Sequence, residues 1–242
     1  MELLLFSNST VKGRGYLEHA ADVLGDYLAP VRSLVFVPFA GADHDAYTAL
    51  VAGALRPYGV DVTGVHAANG GVRAIERADA VFTGGGNTFR LVKALHERGL
   101  MEPLAAAVRA GTRYMGASAG TNIAAPSLRT TNDMPIVQPP SFATLGLVPF
   151  QINPHYLDAD PTSTHAGETR AERLREFHED NELPVLGLRE GTHLRVTADD
   201  AGASSARIGG EAVGPAGTGP ALLFRRGEGP EEVSGDVSRL LG

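Results

Sequence analysis

The sequence predicts an α/β fold, with a mostly parallel sheet covered by helices and a small antiparallel extension at its C-terminal end. Three observations carry this reading. Short apolar runs alternate with longer amphipathic stretches through the first half of the chain. Strands separated by helices of that length run parallel, with both faces of the sheet covered. Two glycine-rich turns, at residues 84–86 and 116–120, each lead from such a strand into a helix. After residue 200 the pattern changes, because ten of the 30 glycines lie there, and short strands joined by turns replace long helices.

In order, Leu3–Phe6 is an apolar strand, and Leu17 to Leu28 carries apolar residues at near-helical spacing. Ser33–Val37 is a second strand, stopped by Pro38, and Asp43–Leu55 is a helix with Ala46, Leu50 and Ala54 on one face. Val60–Thr63 reads as a strand, Val72–Arg77 as a short helix and Ala80–Thr83 as the next strand. Helices are expected at Thr88–Glu97 and Leu104–Ala110, and a strand at Thr112–Met115. Past residue 125, proline and turn residues thicken. Strands are expected there at Leu147–Phe150 and Val185–Leu188, with a helix at Glu168–Glu179 between them. His193–Val196, Ala206–Ile208 and Ala221–Phe224 are short strands that extend the same sheet. No repeat or low-complexity linker divides the chain, so residues 1–242 are expected to form one domain.

Composition excludes several classes of function. The chain carries 21 Lys+Arg against 28 Asp+Glu, a formal charge of −7. Phosphate backbones need clustered cations, so a nucleic-acid partner is not expected; a small anion held by one or two arginines is compatible. There is no cysteine, which removes disulfides, thiolate zinc sites and a cysteine nucleophile together. No apolar run reaches the roughly 18–20 residues of a membrane span, and Met-Glu-Leu-Leu-Leu-Phe reads as a first strand, not as a signal peptide. The expected location is cytoplasmic. No metal is expected: the nearest cluster, Asp43-His44-Asp45, starts a helix, where adjacent side chains point apart.

The chemistry-bearing signal is Gly116-Ala117-Ser118-Ala119-Gly120, between an apolar strand end and Thr121-Asn122-Ile123-Ala124. In strand–turn–helix context this G-x-S-x-G pattern lifts a serine out of the sheet. Small flanking residues leave room for the sharp turn, and the Ala119 N–H points to where an oxyanion would form. Thr83-Gly84-Gly85-Gly86-Asn87-Thr88 is a second such turn. It lacks the Lys-Ser/Thr of a P-loop, and Phe89 interrupts G-x-G-x-x-G. It reads either as an anion loop or, through Gly85 and Gly86, as the other half of an oxyanion hole. Asn87 and Thr88 are candidate substrate contacts. No cofactor is expected.

A serine nucleophile needs a base. His155, in Gln151-Ile152-Asn153-Pro154-His155-Tyr156, is the candidate, placed in a loop restricted by Pro154; His44, His165 and His178 compete, with His178 on a solvated helix face. The acid that orients the histidine is Asp133, in a turn-rich loop, or Glu190, which ends a strand beside Gly191; the strand-end position favours Glu190 slightly. Arg170 and Arg173, three apart on one helical face, form a pair that can grip a carboxylate.

These segments together resemble the peptidase E family of alpha-aspartyl dipeptidases. The similarity lies in residues 4–10 (Leu-Leu-Phe-Ser-Asn-Ser-Thr), Pro38-Phe39-Ala40, Gly84 to Thr88, Gly116 to Asn122, Asn153-Pro154-His155-Tyr156 and Gly167-Glu168-Thr169-Arg170, in that family's order. The resemblance implies a class I glutamine-amidotransferase-like three-layer fold in which serine replaces the amidotransferase cysteine. It implies hydrolysis of dipeptides with N-terminal aspartate, with Ser118 as nucleophile, His155 as base and either Asp133 or Glu190 as third member. Arg170 is the first choice for holding the substrate aspartate. Cyanophycinases share the elbow and fold, so an aspartyl isopeptide is the alternative substrate. A non-catalytic anion-binding module on the same scaffold is the alternative from another class. The expected partner is a small peptide, with neither nucleic acid nor membrane, and a homodimer is left open.

Overall fold

The computed structural model describes residues 1–159, 167–199, 203–215 and 217–242. The first half runs β1 (Glu2–Phe6), α1 (Ala21–Leu28), β2 (Ser33–Val37), α2 (His44–Leu55), β3 (Asp61–Gly64), α3 (Gly71–Arg77), β4 (Ala80–Thr83), α4 (Thr88–Glu97), α5 (Met101–Arg109), β5 (Arg113–Ala117) and α6 (Ala119–Asn122). The second half adds β6 (Gln151–Tyr156), α7 (Arg170–Asp180), β7 (Val185–Arg189), β8 (Thr192–Ala198), β9 (Ser204–Gly210), β10 (Ala221–Phe224), β11 (Glu231–Val233) and β12 (Gly235–Asp236).

Among the described residues the strands form two sheets. The large one has the order β12-β9-β8-β1-β5-β4-β2-β3, the small one β11-β10-β7-β6. From β1 to β3 the large sheet is parallel. Its far edge, β8, β9 and β12, is antiparallel.

The apolar runs are continuous because the parallel strands are buried on both faces. Leu3 and Leu5 of β1 pack into the cluster that holds Leu91, Leu95 and Leu104. Leu4 and Phe6 face Leu24, Tyr27 and Leu55 on the other side. Fully burying one such side chain is worth about 1.5–3 kcal/mol, so one polar substitution on β1 would weaken one of the two layers. Helix starts are fixed by caps: the Asp43 side chain accepts from the Ala46 N–H at 2.9 Å, and Thr169 forms a reciprocal capping box with Glu172.

Three expectations need correction. Leu147–Phe150 is not a strand; Leu147, Val148 and Phe150 are buried in a turn, and the strand begins at Gln151. That strand was hidden because its inward side chains are polar: Gln151 Nε2 donates to Ser127 Oγ at 2.7 Å, and Asn153 Nδ2 to the Thr130 carbonyl at 2.8 Å. His155 lies on this strand, not in a loop. The C-terminal strands do not all extend one sheet: β8, β9 and β12 do, while β10 and β11 join β6 and β7 in the second.

Candidate active site

Ser118 sits between β5 and α6, at the C-terminal edge of the large sheet. Its backbone has φ 53° with ψ −109°, a conformation rare outside glycine. Two contacts hold it there. The Ser118 N–H donates to the Phe6 carbonyl at 3.1 Å, and the Ser118 carbonyl accepts from Asn122 at 2.9 Å. The turn closes because Gly120 has no side chain: a Cβ there would run into the Thr83 carbonyl.

His155 comes from the small sheet. It too has φ 53°, and its Nε2 lies 3.0 Å from Ser118 Oγ. Its Nδ1 lies 2.6 Å from Glu190 Oε1. A carboxylate can only accept, so the proton of that bond resides on Nδ1 and the Nε2 lone pair faces the serine. Glu190 follows β7 directly, where the chain passes from the small sheet to the large one. It pairs with neither neighbouring arginine: Arg189 binds Asp158 and Glu232, and Arg195 binds Glu2 and Asp26.

Asp133 does not join the imidazole. Its Oδ2 accepts from the Thr88 N–H at 2.7 Å and from Thr88 Oγ1 at 2.6 Å, at the N-terminus of α4. A carboxylate is favoured there by the unpaired amides and the helix dipole. The same bonds occupy the polar atoms of Thr88. Asn87 is committed as well: its Oδ1 accepts from the Arg90 N–H at 3.0 Å, and its Nδ2 donates to the Met134 carbonyl at 2.9 Å. Thr88 therefore has no spare side-chain donor for a substrate, whereas the second N–H of the Asn87 amide is not used by these bonds.

The glycine loop abuts the serine. A Cβ on Gly85 would lie 3.1 Å from Ser118 Cβ. The loop also lies against Tyr47, whose hydroxyl would be 2.6 Å from a Cβ on Gly84. The Gly85, Gly86 and Ala119 amides have no acceptor among the described residues, so they are the open donors beside Ser118. Tyr47 was not singled out in the sequence; burial pushes its phenol up, which keeps it neutral. A tyrosine on an amphipathic helix carries no sequence signal that separates this contact from ordinary packing.

Arg170 opens α7 and lines a cleft of about 400 Å³ with Asn132, Leu157 and Arg173. It has no ion pair among the described residues. Burial and then the neighbouring Arg173 pull its pKa down, while Asp133 opposes them. Arg173 lies 3.6 Å from Glu168 and is half exposed. Of the competing histidines, His44 packs on Phe39 and His66, and His165 lies outside the described residues. His178 is buried, not solvated, with Nδ1 3.2 Å from the Asn181 carbonyl. Among the described residues, no group of three or more His, Asp or Glu could hold a metal ion.

The model of peptidase family S51 matches residues 3–203. A peptidase E of Streptomyces coelicolor is 62% identical over 243 residues, covering 100% of this chain and 95% of that protein. A probable alpha-aspartyl dipeptidase of Drosophila melanogaster is 52% identical, covering 82% of this chain and 84% of the relative. Among solved structures, a putative peptidase E from Listeria monocytogenes superposes with a TM-score of 0.64 at 19% identity, covering 87% of this chain and 98% of that one, a likeness of fold.

Proposed function

The chain belongs to peptidase family S51, and from that premise we propose that it is a serine dipeptidase that hydrolyses dipeptides with N-terminal aspartate through an acyl-enzyme on Ser118. One observation carries the reading: Ser118 Oγ, His155 and Glu190 lie in a continuous hydrogen-bonded line, in a chain whose relatives are named for this activity. A non-catalytic anion-binding module has no use for such a line.

His155 Nε2 takes the Ser118 hydroxyl proton as Oγ attacks the aspartyl carbonyl. Glu190, accepting from Nδ1, stabilises the imidazolium. The amides of Ala119 and of the Gly85–Gly86 loop face the developing oxyanion. His155 then gives its proton to the leaving amine, and an aspartyl ester remains. Water attacks this ester with the same histidine as base and releases free aspartate. Ser118 is the nucleophile, His155 the base and Glu190 the third member; Arg170 holds the substrate carboxylate. Residues 1–242 act as one catalytic unit in this reading, and the cytoplasmic location expected from the cysteine-free sequence is part of the same proposal. No helix among the described residues is long and apolar enough to cross a membrane.

The test is a panel of Asp-X, Asn-X and Glu-X dipeptides, with a β-aspartyl-arginine isopeptide beside them. Asp-X should be cleaved and the isopeptide left intact; the reverse outcome would move the protein to the isopeptidase reading.

A further inference from the structure

The β1 strand is followed by two buried polar residues, Ser7 and Asn8, at 0% and 2% exposure. Buried polar side chains are kept where every hydrogen bond is made, and here the partners are specific. Ser7 Oγ accepts from the His155 N–H at 2.9 Å and donates to the Leu188 carbonyl at 2.8 Å. Asn8 Oδ1 accepts from the Gly191 N–H at 2.8 Å, and its Nδ2 donates to the Thr10 carbonyl at 2.9 Å. One residue therefore holds the backbone of His155, and the next holds the backbone beside Glu190.

The two anchors sit where the sheets themselves provide none. The β6–β7 register shifts between Asn153 and Tyr156, so the His155 amide falls outside the regular ladder, and His155 has φ 53°. Such a conformation persists only where the surroundings over-determine it. Glu190 lies at the crossing from the small sheet to the large one, and its carbonyl accepts from the Val213 N–H at 2.8 Å. The large sheet carries the nucleophile and the small sheet the base, so the distance between them depends on what ties the sheets together.

We propose that Ser7 and Asn8 are positioning residues for the reaction: Ser7 sets His155 against Ser118, and Asn8 sets Glu190 against His155. This rests on the catalytic reading above. Neither side chain touches the reacting atoms. Both act through the backbone of a residue that does, and a misplacement of about 1 Å can cost about a hundredfold in rate.

The test uses the full chain with Ser7→Ala and Asn8→Ala, each alone and combined with Glu190→Ala, reading kcat, KM and the melting temperature. Each single variant should lower kcat about 10- to 100-fold, with KM within about threefold. Once Glu190 is gone there is no carboxylate left to align, so Asn8→Ala should then cost less than about threefold. Ser7→Ala, which acts on His155, should keep its full effect in that background. Equal losses for Asn8→Ala in both backgrounds, a loss confined to KM, or an unchanged kcat would overturn the proposal. Where Asn8→Ala does not melt cooperatively, Asn8→Leu, close in volume and without an acceptor, is read by the same criteria. If neither folds, the pair is structural and the proposal fails. If Glu190→Ala alone leaves kcat unchanged, the catalytic reading itself fails, a separate result.

Discussion

The two sheets hold their parts of the candidate site by opposite means. On the large sheet, Ser118 is set by the absence of side chains: Gly120 lets the turn close on Thr83, and Gly85 lets the neighbouring loop approach Ser118. On the small sheet, His155 and the Glu190 corner are held by polar side chains that meet backbone amides, Ser7 for one and Asn8 for the other. The nucleophile side should therefore fail when volume is added, and the base side when a polar atom is removed.

The largest effect belongs to the residue on which both sides converge. Ser118→Ala should cost on the order of 10⁶ in kcat, with the melting temperature nearly unchanged, because alanine meets the same turn and only the bond to His155 is lost. Next comes the acid. Glu190→Gln should cost up to about 10⁴ in kcat by disturbing the tautomer and the imidazolium, with little change in melting. Asp133→Ala should show the converse signature: it unties the N-terminus of α4 from Thr88, so stability should fall by about 1–3 kcal/mol, with any rate loss accompanied by a lower melting temperature. A kcat loss for Asp133→Ala equal to that of Glu190→Gln, in an equally stable protein, would reverse the assignment. The steric side is probed by Gly120→Ala. Its Cβ meets the Thr83 carbonyl, and overpacking of this kind typically costs about 1–3 kcal/mol, readable in thermal melts.

The same contrast decides what the sequence discloses. The helix at Thr88–Glu97 and the strands at Ser33–Val37 and Ala80–Thr83 are legible to the residue, because burial on both faces demands continuous apolar runs between glycine turns. The G-x-S-x-G turn is legible for the same reason, since sterics leave a compositional mark. β6 is not. Its inward amides find Ser127 and Thr130 only in the folded chain, so the pattern looks like a loop, and the apolar Leu147–Phe150 draws the strand assignment away from it. Only a strand-end position favours Glu190 over Asp133 in sequence, because what separates them is tertiary: one ends at a helix N-terminus, the other at a crossing between sheets. Ser7 and Asn8 did leave a signal, two polar residues capping an apolar strand, but nothing local says which amides they meet.

The smallest expected effect concerns substrate choice, and it sets Arg170 against Arg173 on one helix. Arg170 is the first residue of α7, at the positive end of the helix dipole, where a cation is unfavourable by about 0.3–1 kcal/mol unless an anion meets it. It has no ion pair among the described residues, burial pulls its pKa down, and it lines the cleft with Asn132 and Leu157, two residues past His155. Arg173 has Glu168 at 3.6 Å and is half exposed. A substrate carboxylate that reaches Arg170 relieves both the burial and the dipole, whereas an asparagine side chain relieves neither. A charge-assisted hydrogen bond is worth about 1.5–3 kcal/mol, so Asp-X should exceed Asn-X by at least about tenfold in kcat/KM. Arg170→Met keeps much of the stem and removes the charge. It should erase that preference and leave stability unchanged or slightly raised, whereas Arg173→Met should leave the preference intact. If Arg170→Met still prefers Asp-X tenfold, the carboxylate is held elsewhere and the unpaired cation at the head of α7 is not the specificity residue.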